Sequence, residues 1–356
     1  MPDVAEPVTA ATKNERRAVS SSFHAGSANL DLIRAFAVLC VFFGHLHPLA
    51  FHRDSLLEWR FAQMGVLIFF VHTSFVLMLS LERSPQTRWG VFGAFYLRRF
   101  FRLYPLSMFC VTVAFLLGVS PDVAAPFRHW TWGQYLSNMA LTINLTYTDH
   151  MVGGLWTLPL EVQMYIALPF LFLWAGRRPF GYLISLWVLC VPIAMLQPHV
   201  SGRLNVLGYA PCFVAGVIAW RLSRSAARRL TGWLWPAAFV ATWPAFLIAT
   251  HKNEMYYRWA FCLLLGFAIP WFRELPFRPL TLIAKYVAKY SYGIYLSHIA
   301  VILFCFGLPM PLRDQWLIFV CLAVICPAAV YHCIEQPMIE IGRKFSNHLT
   351  ERLRSR

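Results

Sequence analysis

From residue 29 onward, long apolar runs alternate with short polar segments. The runs are rich in Leu, Phe and Trp, and a helix needs about 20 such residues to cross ~30 Å of hydrocarbon. The period-two alternation of a membrane β-barrel is absent. The pattern predicts ten spans, at about 32–50, 62–81, 103–119, 156–175, 180–197, 204–220, 232–250, 256–272, 289–307 and 315–334. Backbone groups in lipid must be satisfied within the segment, so the expected fold is all-α, a polytopic membrane helix bundle. Residues 1–28 are polar and small, without the apolar core of a signal peptide, and read as a disordered cytosolic tail. Residues 29–342 form the membrane domain and 343–356 a basic cytosolic tail. Met338, Ile341 and Phe345 outline a short amphipathic helix after Glu335. There is no internal repeat. The longest connection, about 120–155, is rich in Trp, Thr and Asn, and a loop of that length is either functional or ordered against the bundle. Pro105, Pro159, Pro169, Pro192, Pro211 and Pro327 fall in or at the ends of spans, where they kink helices and open space between them.

Composition supports a membrane protein. Of 356 residues, 58% are hydrophobic and only 13% charged, about half the charged fraction of a soluble domain. The nine cysteines lie mostly in apolar segments with no CxxC pair, as small core residues rather than disulfides or metal ligands.

A net charge of +15 raises the question of nucleic acid, but its distribution answers differently. If the N-terminus is cytosolic, 24 of the 31 basic residues fall in cytosolic segments, and the outer loops keep only Arg53, Arg60, Arg128, Arg203, Lys252, Arg258 and Arg313. The positive-inside rule then puts both termini in the cytosol, which an even number of spans requires.

Ionisable residues inside spans usually mark a pathway or a site. In "LIRAFAVLCVFFGHLHP", Arg34 and His45 are eleven residues apart, close to three turns, so they share one stripe of a helix roughly 16 Å apart in height. Arg34 alone fits a snorkelling anchor, and His45 alone fits a hydrogen-bonded structural histidine. Their joint placement favours a site. In "LRRFFRLYPL", Arg99 and Arg102 share a face while Arg98 points elsewhere. That pair fits a positive-inside anchor or a fork for phosphate groups. In "GGLWTLPLEVQMY", Glu161 lies early in the fourth span, in the outer half and near the level of His45, with Gln163 and Tyr165 close by. A carboxylate there serves as a helix–helix polar contact or orients the imidazole. In "KYSYGIYLSHIAV", Ser291, Tyr292, Tyr295 and His298 make a polar and aromatic ladder, with Tyr295 and His298 able to share a face. His72 is a further intramembrane imidazole. Ligands do not recur at i, i+4 spacing, so no metal site is expected.

Taken in order, these segments resemble the acyltransferase-3 family of integral membrane O-acyltransferases. "RAFAVLCVFFGH" is similar to the family's first helix, "GVLIFFVHTSF" to its second and "RRFFRLYPL" to its basic approach to the third. "LWTLPLEVQMY" is similar to its Trp-x-Leu-x-x-Glu segment, "YSYGIYLSH" to its late helix ending in histidine, and "CIEQPM" to its closing Glu-x-Pro. The resemblance spans about residues 29–342. Two departures bear on the second helix: Thr73-Ser74-Phe75 stands where a Ser-Gly-aromatic turn is usual, and Leu67 where a polar residue is common. The hydrolase-like domain some relatives carry after the bundle is not seen.

The resemblance implies a multi-pass protein of the bacterial inner membrane that moves an acyl group, expected to be acetyl, from cytosolic acetyl-CoA or another acyl-CoA. The acceptor would be a hydroxyl of an extracytoplasmic carbohydrate or glycolipid, such as a lipopolysaccharide or other polysaccharide. In that reading Arg34, Arg99 and Arg102 hold the donor's phosphates, and His45 is the general base assisted by Glu161. Tyr295, His298 and Trp156 contact substrates. A transient acyl-histidine is the competing chemistry. A proton-coupled transporter is the rival class, since intramembrane His, Glu and Arg also build proton relays. The two related halves frequent in carriers are not found.

Overall fold

A computed structural model describes residues 27–51, 56–83, 88–122, 125–224, 230–238, 241, 246 and 255–354. Among these residues the chain is helical, with isolated bridges but no strand. The principal helices are α1 (Ala28–Phe51), α2 (Leu56–Glu82), α3 (Arg88–Leu117), the short α4 (Trp132–Met139), α5 (Leu158–Ala175), α6 (Phe180–Val200) and α7 (Val206–Ser223). They are followed by α8 (Met255–Ala268), α9 (Arg278–Phe306), α10 (Leu312–Val330) and α11 (Gln336–Arg354). Eight helical segments are long and apolar enough to cross a membrane. Of the ten expected spans, the one at 232–250 lies largely outside the described residues, as does the tail up to residue 26. The one at 256–272 corresponds to α8, only 14 residues, closed by a 3₁₀ turn at Ile269–Trp271.

The first helix runs between two neighbours, α2 and α9; α2 packs in turn on α7, α7 on α6 and α8, and α9 on α10. Without a hydrophobic force between helices in lipid, close backbone approach supplies the packing. Gly44 and Gly65 mark that approach between α1 and α2. A Cβ on Gly44 would lie 2.6 Å from the Ala62 backbone nitrogen, and one on Gly65 would strike the Ala37 carbonyl. Phe70 stacks on Phe213 at 4.5 Å and ties α2 to α7. Away from this core, α6 and α10 expose Val188, Leu189, Leu196, Leu317 and Val324, an apolar surface suited to lipid tails.

The long connection is ordered. Thr131 and Gln134 form a capping box at the start of α4, and Asn138 bonds the Asp149 carbonyl and the Met151 amide. Helix α3 begins fifteen residues before the expected 103, so Arg98, Arg99 and Arg102 lie well inside it. Hydropathy alone places the start where the arginines end; the helix continues through them because one side docks on α11. There Arg98 donates to Ser346 Oγ at 2.6 Å and Phe101 stacks on Phe345. The expected boundary at 342 therefore falls within α11, which packs along α3. A π turn, Tyr331–Glu335, joins α10 to α11 four residues after Pro327.

Candidate active site: three adjoining cavities

Three cavities follow the stripe of α1 that carries Arg34 and His45. The middle one, about 260 Å³, is lined by Arg34, Arg99, Arg102, Glu161 and His72 among others. A second, about 450 Å³, lies at the His45 end with Trp156, Arg258 and His298. A third, about 440 Å³, lies at the opposite end with Asp31, Lys285, Lys289 and Glu335. Arg34 and Arg102 line both the third and the middle cavity. Val66 and Tyr295 line both the middle cavity and the one at the histidine end. The three therefore adjoin in sequence along the helix.

In the middle cavity the cations come from two helices, α1 and α3. Arg34 Nε donates to Ser291 Oγ of α9 at 2.7 Å, and that serine donates on to the Ala288 carbonyl. Arg99 and Arg102, one turn apart on α3, turn to the same space as expected. The Arg99 Nε is buried without a hydrogen-bond partner among the described residues. A guanidinium N–H left unpaired in a cavity is a donor available to an anionic ligand.

Glu161 faces this cavity and not His45. Its Oε2 accepts from Tyr165 OH at 2.6 Å, one turn further along α5. The expectation of a level shared with His45 misjudged depth. The chain enters α5 through a 3₁₀ turn at Leu155–Thr157, which puts Trp156 in the histidine-end cavity. Five residues of helix then carry Glu161 roughly 7 Å deeper, to the arginines. Gln163 turns away and pairs with Asn144 of the long loop.

At the other end, His45 meets His298. The His45 Nδ1 is 2.7 Å from the Val41 carbonyl, and the His298 Nδ1 is 2.8 Å from the Tyr295 carbonyl. A carbonyl only accepts, so in the neutral rings both Nδ1 atoms carry the proton; this tautomer is assigned from the network. The His298 Nε2, 3.4 Å from His45 Nδ1, is then a second acceptor for the same N–H. His45 Nε2 is left as the basic nitrogen. Trp59 stands edge-on to the His45 ring at 5.0 Å, a contact that the close α1–α2 crossing allows. Tyr295 connects the two cavities and its hydroxyl pairs with Thr157 at 2.7 Å. Gly154 makes room for it: a Cβ there would lie 2.8 Å from the Tyr295 ring and carbonyl.

Every candidate catalytic or binding residue named from the sequence thus lines one of the cavities, but the grouping differs. His298 joins His45, and Glu161 joins Arg34, Arg99 and Arg102. At the second-helix departures, Thr73 lines the middle cavity, Ser74 bonds back to the Phe70 carbonyl and abuts Gly216, and Leu67 is fully buried in the core. Sequence reasoning missed Arg60, Gln63 and Arg258 of the histidine-end cavity. Arg258 was assigned to an outer loop, although it is 7% exposed within α8; an arginine inside "YYRWAFCLLL" was the available signal.

This geometry, a multi-pass bundle with a cationic cavity leading to a histidine pair, suits transfer of a group between a charged donor and a second substrate. The family model described as an acyltransferase domain matches residues 27–332, and the chain belongs to this acyltransferase-3 family: it is a multi-pass membrane acyltransferase. Among relatives, it is 25% identical over 316 residues to "Nodulation protein 10" of Rhizobium leguminosarum bv. viciae, covering 77% of this chain and 82% of the relative. It is 23% identical over 285 residues to "Putative acetyltransferase ORF330" of Acidianus two-tailed virus, covering 75% and 81%. No solved structure matches.

Proposed function

We propose that the protein transfers an acyl group, acetyl in the simplest case, from a cytosolic acyl-CoA to a hydroxyl of an extracytoplasmic carbohydrate or glycolipid. The membrane is the bacterial inner membrane, with both termini in the cytosol. The observation that carries this reading is the chain of adjoining cavities from Arg34 to His45. The helical rise between these residues, roughly 16 Å, is comparable to the length of a pantetheine arm. The diphosphate binds Arg34, Arg99 and Arg102, and the arm extends through the middle cavity past Tyr295. The thioester then reaches the histidine end.

There the acceptor hydroxyl gives its proton to His45 Nε2 while its oxygen forms a bond to the thioester carbonyl carbon. The C–S bond breaks, and the imidazolium returns the proton to the departing sulfur, releasing free coenzyme. His298 Nε2 accepts from His45 Nδ1–H and steadies the imidazolium as it forms, the role a carboxylate fills in a triad. Glu161, expected in that role, belongs instead with the arginines. Trp156 and Trp59 offer aromatic faces to the acceptor's ring.

The test is thiol release from acetyl-CoA by the purified protein in nanodiscs, together with mass spectrometry of surface glycans from cells with and without it. The expected results are acceptor-dependent thiol release and loss of one acyl mass from a glycan. His45→Ala accumulates normally and does neither. A His45→Ala protein that keeps most of its activity overturns the mechanism, and failure to consume any acyl-CoA overturns the donor.

A further inference from the structure

The residues that line the cavity beyond the arginines, other than Arg34 and Arg102 themselves, have no part in the scheme above. That cavity is about 440 Å³, within the roughly 300–1,000 Å³ of small-molecule sites. Its shared wall with the middle cavity is Arg34 and Arg102, the groups assigned to the diphosphate. A linear donor held there, with its arm running toward His45, has its other end in this space. In CoA that end is an adenosine bearing a 3′-phosphate.

The lining suits such a group. Lys285 and Lys289 are four apart on α9 and both line the cavity. The Lys289 ammonium sits 5.0 Å from the Tyr290 ring centroid and 4.9 Å from that of Tyr331, two contacts that limit its freedom. A second observation comes from the π turn. One extra residue in that turn re-aims the side chains that follow, a device common at functional sites. Glu335 closes the turn, 2% exposed, and its Oε2 has no hydrogen-bond partner among the described residues. A buried carboxylate oxygen without a donor among the described residues, in a cavity whose lining holds Arg34, Arg102, Lys285 and Lys289 against one other carboxylate, Asp31, is an acceptor for a ligand's hydroxyl or amino group.

We propose that this cavity binds the 3′-phosphorylated adenosine end of the donor, with Lys285 and Lys289 reading the 3′-phosphate and Glu335 accepting a hydrogen bond from the nucleoside. The proposal rests on the acyl-CoA reading. It adds that the protein discriminates CoA from 3′-dephospho-CoA, a difference far from the reacting thioester.

The test is calorimetric titration of the full-length protein, in phosphatidylcholine nanodiscs, with CoA and with 3′-dephospho-CoA. The wild type is expected to bind CoA at least about tenfold more tightly, the size of one charge-assisted hydrogen bond. In the Lys285→Gln/Lys289→Gln double variant the ratio falls to within about threefold through loss of CoA affinity. Retained binding of dephospho-CoA then shows that the variant is folded. A wild-type ratio within threefold overturns the proposal and leaves the acyl-CoA reading standing. Binding of neither ligand overturns both. Lysines that serve anionic lipid headgroups give a third result: a ratio near one, with phosphatidylglycerol in the nanodisc weakening both ligands equally, which also overturns the proposal.

Discussion

Replacing His298 with leucine removes one acceptor from His45 without leaving a hole or an unpaired donor. The side chain is 2% exposed and packs on His45 with ring centroids 5.1 Å apart, so an apolar residue of similar size is tolerated there. The His45 Nδ1–H keeps the Val41 carbonyl at 2.7 Å and loses the His298 Nε2 at 3.4 Å. With neutral rings that long contact contributes little. When His45 takes a proton the contact becomes charge-assisted, about 1.5–3 kcal/mol at full strength and less at this length. Each 1.36 kcal/mol is tenfold in rate, so with that discount kcat should fall roughly five- to thirtyfold. KM for acyl-CoA should hold, because His298 lines neither cavity assigned to the donor's diphosphate and nucleoside. The assay is thiol release at saturating acyl-CoA across a range of acceptor concentrations. His298→Gln, which restores an acceptor, should recover part of the loss, whereas a general packing defect would not be rescued this way. A leucine variant with kcat within threefold of wild type, in a background where His45→Ala is dead, refutes the positioning role.

Three further outcomes follow from the same geometry. Arg99→Gln should raise KM for acyl-CoA about ten- to a hundredfold with a smaller change in kcat, since Arg99 lines the cavity assigned to the diphosphate and its buried Nε has no hydrogen-bond partner among the described residues; steady-state kinetics checks it. Glu161→Gln removes the one carboxylate lining the middle cavity and leaves three guanidiniums there, so CoA should bind roughly three- to tenfold more tightly by calorimetry. An unchanged affinity with kcat down a hundredfold or more would put Glu161 on the reacting hydroxyl instead. Gly44→Ala forces a Cβ against the α2 backbone and should cost about 1–3 kcal/mol, seen as a lower thermal midpoint in detergent with the CoA affinity of the surviving folded fraction little changed.

What could be read from the sequence was what a single helix determines. The Arg34–His45 stripe needs only 3.6 residues per turn, as does the shared face of Arg99 and Arg102, and both are found. Depth was harder to read, because it depends on how a helix begins: the 3₁₀ turn at Leu155–Thr157 decides whether Glu161 stands level with His45 or with Arg34. Contacts across helices were out of reach. Nothing in "LSHIAV" says that His298 meets His45; that follows from α1 and α9 packing along one another. The start of α3 was misplaced for a related reason, since a run of arginines ends a hydropathy window but does not end a helix that has α11 to pack against.

The separation of the arginine cluster from the histidine pair gives the bundle a physical logic that neither group has alone. A diphosphate is too strongly hydrated to travel through an apolar core, so its binding groups must stay where water reaches them, and a long flexible arm has to cover the remaining distance. Arg34 and Arg102 line both the middle cavity and the one toward one end of α1, while the histidine pair lines a cavity toward the other end. Between them the shared walls are Val66 and Tyr295, and the tyrosine hydroxyl is already paired with Thr157. The pantetheine arm of the proposed donor has to pass between Val66 and Tyr295, neither of which offers a cation to a phosphate. The same neck separates Arg34, Arg99 and Arg102 from His45 and His298, whose own cavity holds Arg60 and Arg258 instead. In the proposed mechanism the base is thus held a donor's length from the three guanidiniums that hold the donor.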